Sequence, residues 1–322
     1  MIGLNKTVGN TTANSEKTLQ KTSSMERLLG SYSCGEDGPA LVITADVFDG
    51  QTSAVTAFNK VLKTISQLDI PLKGEIRGLA GNIKSKKKGI LTQLKQSLSI
   101  QDGYSTPHVE TSGYNEAAEF VDLIEEYEKA SNSATSGVYY LDLKTSENIR
   151  KPYVCSSKNP DSLDFAKQIP LPHIRGMEDY VTDHMGFYLN AKSYVGCTLF
   201  VGSNADYNAA QTHEAAIWLA LVNSGCVKKS DVPNFSDLQR KLESACSKEE
   251  ARAFEVVYKY CIQEDEFFRM LPGFEDFQKI KKGQELATSD GGSVLSQWDG
   301  SIFMPLYHTQ CQDGFFVLKE IT

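Results

Sequence analysis

The chain has 322 residues, of which 40% are hydrophobic and 23% are charged, and its formal net charge at pH 7 is −8. This composition is that of a globular protein long enough for two domains of ~150 residues each. The acidic balance argues against a nucleic-acid partner, because phosphate binding needs a concentrated basic face. No apolar run approaches the ~20 residues that span a bilayer, so we expect no membrane segment.

The amino-terminal segment and the cysteines indicate the compartment. Residues 1–25 are rich in Asn, Thr, Ser and Lys and lack the apolar segment of a signal peptide, so we expect a flexible arm. The seven cysteines are scattered, odd in number and without a C-x-x-C pair. That pattern is typical of reduced thiols, and it predicts a cytoplasmic protein.

Strand-like and helix-like segments alternate from residue 40 to residue 225. The predicted strands are Ala40–Val47, "GEIRGLAGN" from Gly74, "GVYYLDLKT" from Gly137 and "GCTLFVG" from Gly196. The predicted helices are "SAVTAFNKVLKTISQL" from Ser53, "NEAAEFVDLIEEYEKA" from Asn115 and "NAAQTHEAAIWLALVNSG", which Gly225 ends. The alternation predicts an α/β fold with a mostly parallel or mixed sheet sandwiched by helices.

The pattern changes in the last part of the chain. Short β-like runs separated by glycine turns follow one another: "FEVVYKYCIQ", "ELATSDGG", "GSIFMPLYH" and "DGFFVLKEI". We therefore predict an α/β domain over residues 26–228 and a smaller β-rich domain over residues 229–322.

The histidines and the common catalytic motifs supply no catalytic set by themselves. None of the five histidines lies in an H-E-x-x-H motif, and the sequence contains no nucleophile elbow, P-loop or dinucleotide fingerprint. His213 and Glu214 are predicted to be a partly exposed pair on a helix. Asp183 and His184, with acidic neighbours, are read as a polar loop in preference to a metal cluster.

Several segments together resemble the succinylglutamate desuccinylase/aspartoacylase family of zinc-dependent deacylases. They are "GPALVITADVFDGQTSAVTAFNKVL", "GEIRGLAGNIKSKKKGILTQLKQSLS", "VYYLDLKTSENIRKPYV", "GCTLFVGSNAD" and "MPLYHTQCQDGFFVLKEI". They occur in the family's order and spacing over residues 26–322. The resemblance implies a zinc-carboxypeptidase-like α/β domain followed by a β-rich carboxyl-terminal domain.

The resemblance also locates the family's zinc ligands, and here this sequence departs from the pattern. The G-x-H-G-N-E and D-L-H-T motifs place the three ligands at Phe48, Gln51 and Lys144. Zinc needs lone pairs from imidazole, thiolate or carboxylate. Phenylalanine has none, glutamine is a weak neutral donor, and lysine at neutral pH is a cation with N–H donors only. We therefore expect neither zinc nor another cofactor.

The family's catalytic side chains are replaced as well. The glutamate that activates the metal-bound water falls on Val201, or on Phe200 if the alignment shifts by one, and the arginine that polarises the scissile carbonyl falls on Leu91. Neither residue at the glutamate position moves a proton. The sequence therefore predicts a catalytically inactive homologue of N-acyl-amino-acid deacylases with a remodelled, metal-free cleft.

Under a first hypothesis, the cleft that holds zinc in the family binds a ligand without a metal in this protein. A lysine ammonium at position 144 stands where the zinc charge would be, and it would pair with Asp142 or with a bound small carboxylate. Alternatively, Lys144 points into solvent or only satisfies a neighbouring carboxylate. The candidate ligand-binding residues are Lys144, Gln51, Asn82, Lys84, Asp142 and Thr145.

Other hypotheses stay open at this stage. Apolar residues at Phe48, Leu91, Leu98 and Val201 would collapse the cleft and leave a protein-interaction role. A metal-dependent amidohydrolase with non-standard ligands is the enzymatic alternative, and a thiol hydrolase using Cys155 or Cys197 would require a nearby base. The sequence does not decide whether the chain forms a homo-oligomer.

Overall fold

The structure is a computed structural model that describes nine parts of the chain. These are residues 28–46, 53–81, 137–146, 149–180, 195–202, 207–246, 252–263, 265–306 and 313–321. Among the helices of these parts, none combines the length and the apolar content needed to cross a membrane.

The described residues form fourteen strands and four α-helices, with two short 3-10 helices at Met177–Asp179 and Lys229–Asp231. The strands are β1 (Leu28–Ser33), β2 (Ala40–Asp46), β3 (Glu75–Gly81), β4 (Val138–Thr145), β5 (Tyr153–Ser156), β6 (His173–Arg175), β7 (Val195–Val201), β8 (Ala253–Cys261), β9 (Arg269–Met270), β10 (Lys279–Ile280), β11 (Glu285–Ser289), β12 (Gly292–Leu295), β13 (Gly300–Phe303) and β14 (Asp313–Ile321). The helices are α1 (Ser53–Gln67), α2 (Pro160–Lys167), α3 (Tyr207–Asn223) and α4 (Phe235–Glu243).

One large mixed sheet organises the described chain, as the sequence predicts. Its order is β1-β3-β2-β4-β7-β5-β6-β8-β14-β13-β10. Strands β3, β2, β4 and β7 are parallel to one another, β5 joins β7 in the antiparallel sense, and β8, β14 and β13 form an antiparallel carboxyl-terminal part. A small second sheet has the order β12-β11-β9. The α/β fold class is confirmed.

Helices α1, α2 and α3 pack against one face of the large sheet, and α4 packs on α3. Side chains such as Ile43, Leu141 and Leu199 point from the strands into a buried cluster that also contains Phe58 of α1 and Trp218 of α3. Close approach of α1 requires a glycine on β3, since a Cβ at Gly78 would lie 2.3 Å from the Phe58 ring. The helix predicted from Asn115 lies outside the described residues.

Local sequence explains where two of the helices begin and end. Helix α2 starts with Pro160 after Asn159, whose side chain accepts a hydrogen bond from the backbone N–H of Asp161, as at many helix amino termini. Helix α3 is followed by Gly225 at φ 82°, a left-handed conformation that glycine adopts without steric cost. The predicted end of this helix is confirmed.

The carboxyl-terminal strands continue the same sheet, because β6 pairs with β8 in parallel register. They have their own aromatic clusters, one around Tyr153, Phe277 and Phe303 and another around Phe315 and Ile302. The domain boundary after residue 228 stays a prediction. Helix α4, which follows that position, places Leu242 in the cluster beneath the helices.

Candidate functional site

A buried carboxylate lies at the centre of three adjacent parallel strands. The register aligns Thr44 of β2, Asp142 of β4 and Thr198 of β7 in one row across the sheet. Thr44 Oγ1 donates a 2.6 Å hydrogen bond to Asp142 Oδ1, and Thr198 Oγ1 donates a longer one of 3.5 Å to Oδ2. Asp142 is fully buried. Hydrogen bonds and a charge partner offset the cost of burying such a group.

Lys144 supplies that charge partner. It lies two residues after Asp142 on the same strand, so the two side chains project from the same face of the sheet. Lys144 Nζ lies 3.5 Å from Asp142 Oδ1, and only 16% of the lysine side chain is exposed. The structure therefore shows the lysine paired with Asp142, an arrangement that both interpretations of Lys144 allow. We name the group Thr44, Asp142, Lys144 and Thr198 the β4 polar cluster.

Aromatic side chains form one side of the β4 polar cluster. Phe200 of β7 is the register neighbour of Lys144, and its ring stacks on Tyr153 of β5 with centroids 4.8 Å apart and planes 14° apart. Tyr153 and Phe200 are both buried. The face that carries the ammonium is therefore bounded by two rings on the β5 side.

The position predicted to replace the family glutamate faces away from this cluster. Val201 is buried in the apolar cluster beneath the helices, together with Leu199 and Cys197. Because successive side chains alternate between the two faces of a strand, Phe200 is the residue that β7 presents beside Lys144. By the same alternation, Thr145 lies on the helix-covered face of β4.

Several predicted site residues lie outside the described part of the chain. They are Phe48, Gln51, Asn82, Lys84 and Leu91, together with the loop pair Asp183 and His184. The described residues thus bring together Asp142, Lys144 and Phe200, which the sequence analysis named, and add Thr44, Thr198 and Tyr153. The sequence feature that could have identified Thr44 and Thr198 is a hydroxyl side chain within an otherwise apolar strand.

The β4 polar cluster does not fit a zinc ion. Within the described ranges, no group of three or more His, Cys, Asp and Glu side chains is placed to hold a metal. The ammonium 3.5 Å from Asp142 has no lone pair to donate and would repel a cation at that carboxylate. No chemical step at this cluster is therefore derived through a metal.

The histidines in the described residues are buried, and this corrects one expectation. The prediction of a partly exposed His213 is wrong, because the ring is fully buried and neither ring nitrogen has a hydrogen-bond partner in the described structure. Burial lowers the pKa of His213 to about 3. His173 is also buried, with Nε2 2.7 Å from Ser156 Oγ, and burial lowers its pKa to about 4.

The two cysteines considered as nucleophiles lie in buried positions. Cys155 is 2% exposed and Cys197 is fully buried. Burial and the nearby Asp142 charge raise the pKa of Cys197, whereas a nucleophilic thiol needs a lowered pKa and access to its substrate. The geometry of Cys197 is that of a structural thiol.

Comparisons with solved structures identify the fold of the chain. No protein-family model matches the sequence, and no curated protein matches it either. The chain is similar to the structure of succinylglutamate desuccinylase from Vibrio parahaemolyticus, with 13% identity, coverage of 92% of this chain and 86% of that chain, and a TM-score of 0.62. It is likewise similar to succinylglutamate desuccinylase from Chromobacterium violaceum, with 10% identity, coverage of 91% and 88%, and a TM-score of 0.59.

An aspartoacylase family protein from Mesorhizobium loti is similar in the same way. The identity is 15%, the match covers 91% of this chain and 89% of that chain, and the TM-score is 0.55. Such low identities show the fold and leave the activity of this chain open. The chain has the fold of the succinylglutamate desuccinylase/aspartoacylase proteins.

Proposed function

We propose that this protein is a catalytically silent relative of the zinc-dependent N-acyl-amino-acid deacylases, and that it binds a small carboxylate beside Lys144 without a metal. The observation that supports the proposal is the pair of Lys144 and Asp142, with Nζ and Oδ1 3.5 Å apart on the face of β4 opposite the helices. A protein cation occupies the position that the resemblance assigns to a zinc ligand.

A carboxylate ligand at this pair would share the Lys144 ammonium with Asp142. A carboxylate ligand would add a second negative group to an ammonium already in contact with Asp142, in surroundings where water is largely excluded. Charge-assisted hydrogen bonds are strong in such surroundings. An ammonium carries three N–H donors, so it can contact both carboxylates at once. The hydroxyls of Thr44 and Thr198 hold Asp142 in place.

Two observations support the loss of hydrolytic chemistry. Hydrolysis by the family's route needs a metal-bound water and a carboxylate that takes its proton. On this face, β7 presents the Phe200 ring, and Val201 is buried beneath the helices. The cluster also carries an ammonium where a metal ligand is needed. Binding without turnover is the function that these residues support.

Metal content is the first test of this proposal. The protein is incubated with zinc, desalted and measured by elemental mass spectrometry. We expect far less than one equivalent of zinc. Close to one equivalent, removed by Lys144→Ala or Gln51→Ala, would overturn the proposal and favour a metal-dependent amidohydrolase with non-standard ligands.

Ligand binding is the second test. Melting temperature is measured with millimolar acetate, succinate or glutamate, since a ligand that binds only the folded state raises it. We expect at least one of them to raise the melting temperature of the wild type and none to raise that of Lys144→Met. Lys259→Met is the matched control, because Lys259 is also 15% exposed and ion-paired. If none of the carboxylates raises the melting temperature of the wild type, the proposal of a small carboxylate ligand is wrong, and binding of a protein partner is the remaining hypothesis.

A further inference from the structure

A chain of aromatic rings connects the β4 polar cluster to the carboxyl-terminal strands. Phe200 stacks on Tyr153, and Tyr153 meets the Phe303 ring edge-on with centroids 5.0 Å apart and planes 89° apart. Phe303 in turn contacts Phe277, with centroids 5.2 Å apart. All four rings are buried. The position of the ring beside Lys144 therefore depends on residues far along the sequence.

The far end of this chain has a strained backbone. Phe277 has φ 66° and Met304 has φ 50°, a left-handed conformation that is unfavourable for side chains with a Cβ. Residues held in this way persist when surrounding contacts fix them, and they concentrate where position matters for function. Both lie at the end of the ribbon formed by β10 and β13, which pair through Lys279 and Ser301.

Asp276 holds the two strained residues together. Its Oδ1 accepts a 2.7 Å hydrogen bond from the backbone N–H of Met304, and the N–H of Phe277 donates to the carbonyl oxygen of Ile302 at 2.9 Å. The first bond crosses from the Asp276 turn to the residue that follows β13. It closes the ribbon where Phe277 and Phe303 project towards Tyr153.

The Asp276 carboxylate has charged neighbours, and its own charge acts on the Tyr153 ring. Burial raises the pKa of Asp276, and the positive charges of Lys151 and Arg150 oppose that rise, whereas Glu275 adds to it. Burial also raises the pKa of the Tyr153 hydroxyl, and the negative charge of Asp276 contributes. The Asp276 carboxylate therefore interacts electrostatically with the loop after β4 and with Tyr153, the ring that stacks on Phe200.

We propose that Asp276 is a positioning residue for the β4 polar cluster: its bond to Met304 holds Phe277 and Phe303 against Tyr153 and so keeps Phe200 beside Lys144. If the proposed function is correct, the rings of Phe200 and Tyr153 shield the Lys144 ammonium from water and restrict the ligand to a small carboxylate. Loss of the bond lets the backbone of Phe277 and Met304 leave the left-handed conformation. The rings of Tyr153 and Phe200 then move away from Lys144.

Pulsed acetylation with a succinimidyl acetate ester tests this proposal without any ligand. The acetylation rate of each lysine is read by peptide mass spectrometry. In Asp276→Ala we expect the rate at Lys144 to rise about fivefold, the population change that corresponds to one lost hydrogen bond. Asp276→Asn keeps an acceptor oxygen and should restore the wild-type rate. Asp299→Ala is the matched control, because Asp299 accepts the Lys282 N–H at the other end of β13.

Lys259 distinguishes positioning from general loosening, because its side chain is 15% exposed and lies among the carboxyl-terminal strands. An equal rise at Lys144 and Lys259, or no rise at Lys144, overturns the proposal. If Asp276→Ala does not fold, Phe277→Leu replaces it and should raise the rate at Lys144 alone. Should no carboxylate bind while Lys144 responds as expected, the proposed function fails and the positioning role stands.

Discussion

The two faces of strand β4 carry different chemistry. Leu141 points into the cluster beneath the helices, where apolar side chains from β2, β7, α1 and α3 meet. Asp142, the next residue, points to the opposite face and contacts Lys144 and two threonines. The first face depends on volume and apolar area, and the second depends on charges and hydrogen bonds. A single strand thus has an apolar face on one side and a charged, hydrogen-bonded face on the other.

The largest effect should come from removing volume on the helix-covered face. Leu141→Ala leaves a cavity in a fully buried position, so we expect a loss of about 3.5 kcal/mol in the free energy of unfolding. Chemical denaturation measures the loss. Leu68→Ala is the control, because Leu68 is 59% exposed and its truncation should change stability by less than about 0.5 kcal/mol. Equal losses of stability in the two variants would contradict the conclusion that Leu141 contributes to stability through its burial.

Breaking the charge pair on the other face should cost slightly less. Lys144→Met leaves the Asp142 carboxylate buried without its ion pair, and we expect a loss of about 3 kcal/mol. The double variant Asp142→Asn with Lys144→Met removes both charges and should recover most of that loss. A thermodynamic cycle measured by urea denaturation gives the coupling energy. Additive losses in the cycle would show that the two charges do not interact.

Acidification should act through His213, a polar group on the apolar side. Since burial lowers the pKa of His213 to about 3, the folded state keeps the ring neutral while the unfolded chain protonates it below pH 6.5. The stability that depends on the neutral ring is complete above pH 6.5 and is lost as the pH falls towards about 3. At pH 4.5 this loss is about 2.5 kcal/mol.

His213→Leu tests this assignment, because leucine cannot titrate. Denaturation curves of both proteins at pH 7 and pH 4.5 isolate the histidine, since His173 is present in each. We expect the wild type to lose about 2.5 kcal/mol more than the variant over this interval. Parallel loss in the two proteins would assign the acid sensitivity to other groups.

The smallest predicted effect is a gain. Met304→Gly relieves a left-handed backbone at a side chain that is 44% exposed, so little burial is lost. We expect stabilisation of about 1 kcal/mol, measured as a higher melting temperature. The same substitution at Met270, which is 5% exposed and lies in a strand, should destabilise the protein.

The periodic parts of the sequence were the predictable ones. Strand β4 and helices α1 and α3 were predicted because each is long enough to show its period. Strands β1, β5 and β6 and helix α2 were not predicted, since three to eight residues carry too little pattern. For the candidate site, the motif around Asp142 and Lys144 was readable, but the pairing with Thr44 and Thr198 requires a register that only the folded sheet defines.

The exposure of His213 could not be predicted from its neighbours in sequence. A His-Glu pair on a helix is typical of a solvent-facing side, and Glu214 does reach Lys60 of α1, with Glu214 Oε2 2.6 Å from Lys60 Nζ. Helix α3, however, packs against α1, α4 and the sheet, and most of its side chains are buried. A helix enclosed on several sides has no clear polar face, so periodicity cannot locate the exposed residues.

The order of strands in the sheet has a consequence for synthesis of the chain. Strand β7 pairs with β4 on one side and β5 on the other, although it follows both in sequence. Until residue 201 has left the ribosome, β1-β3-β2-β4 and β5-β6 are two separate sheet fragments, and the edges of β4 and β5 that pair with β7 are open. Such edges are sites of aggregation. A nascent chain that has emerged from the ribosome as far as a point between Arg175 and Val195 would therefore expose both of these edges.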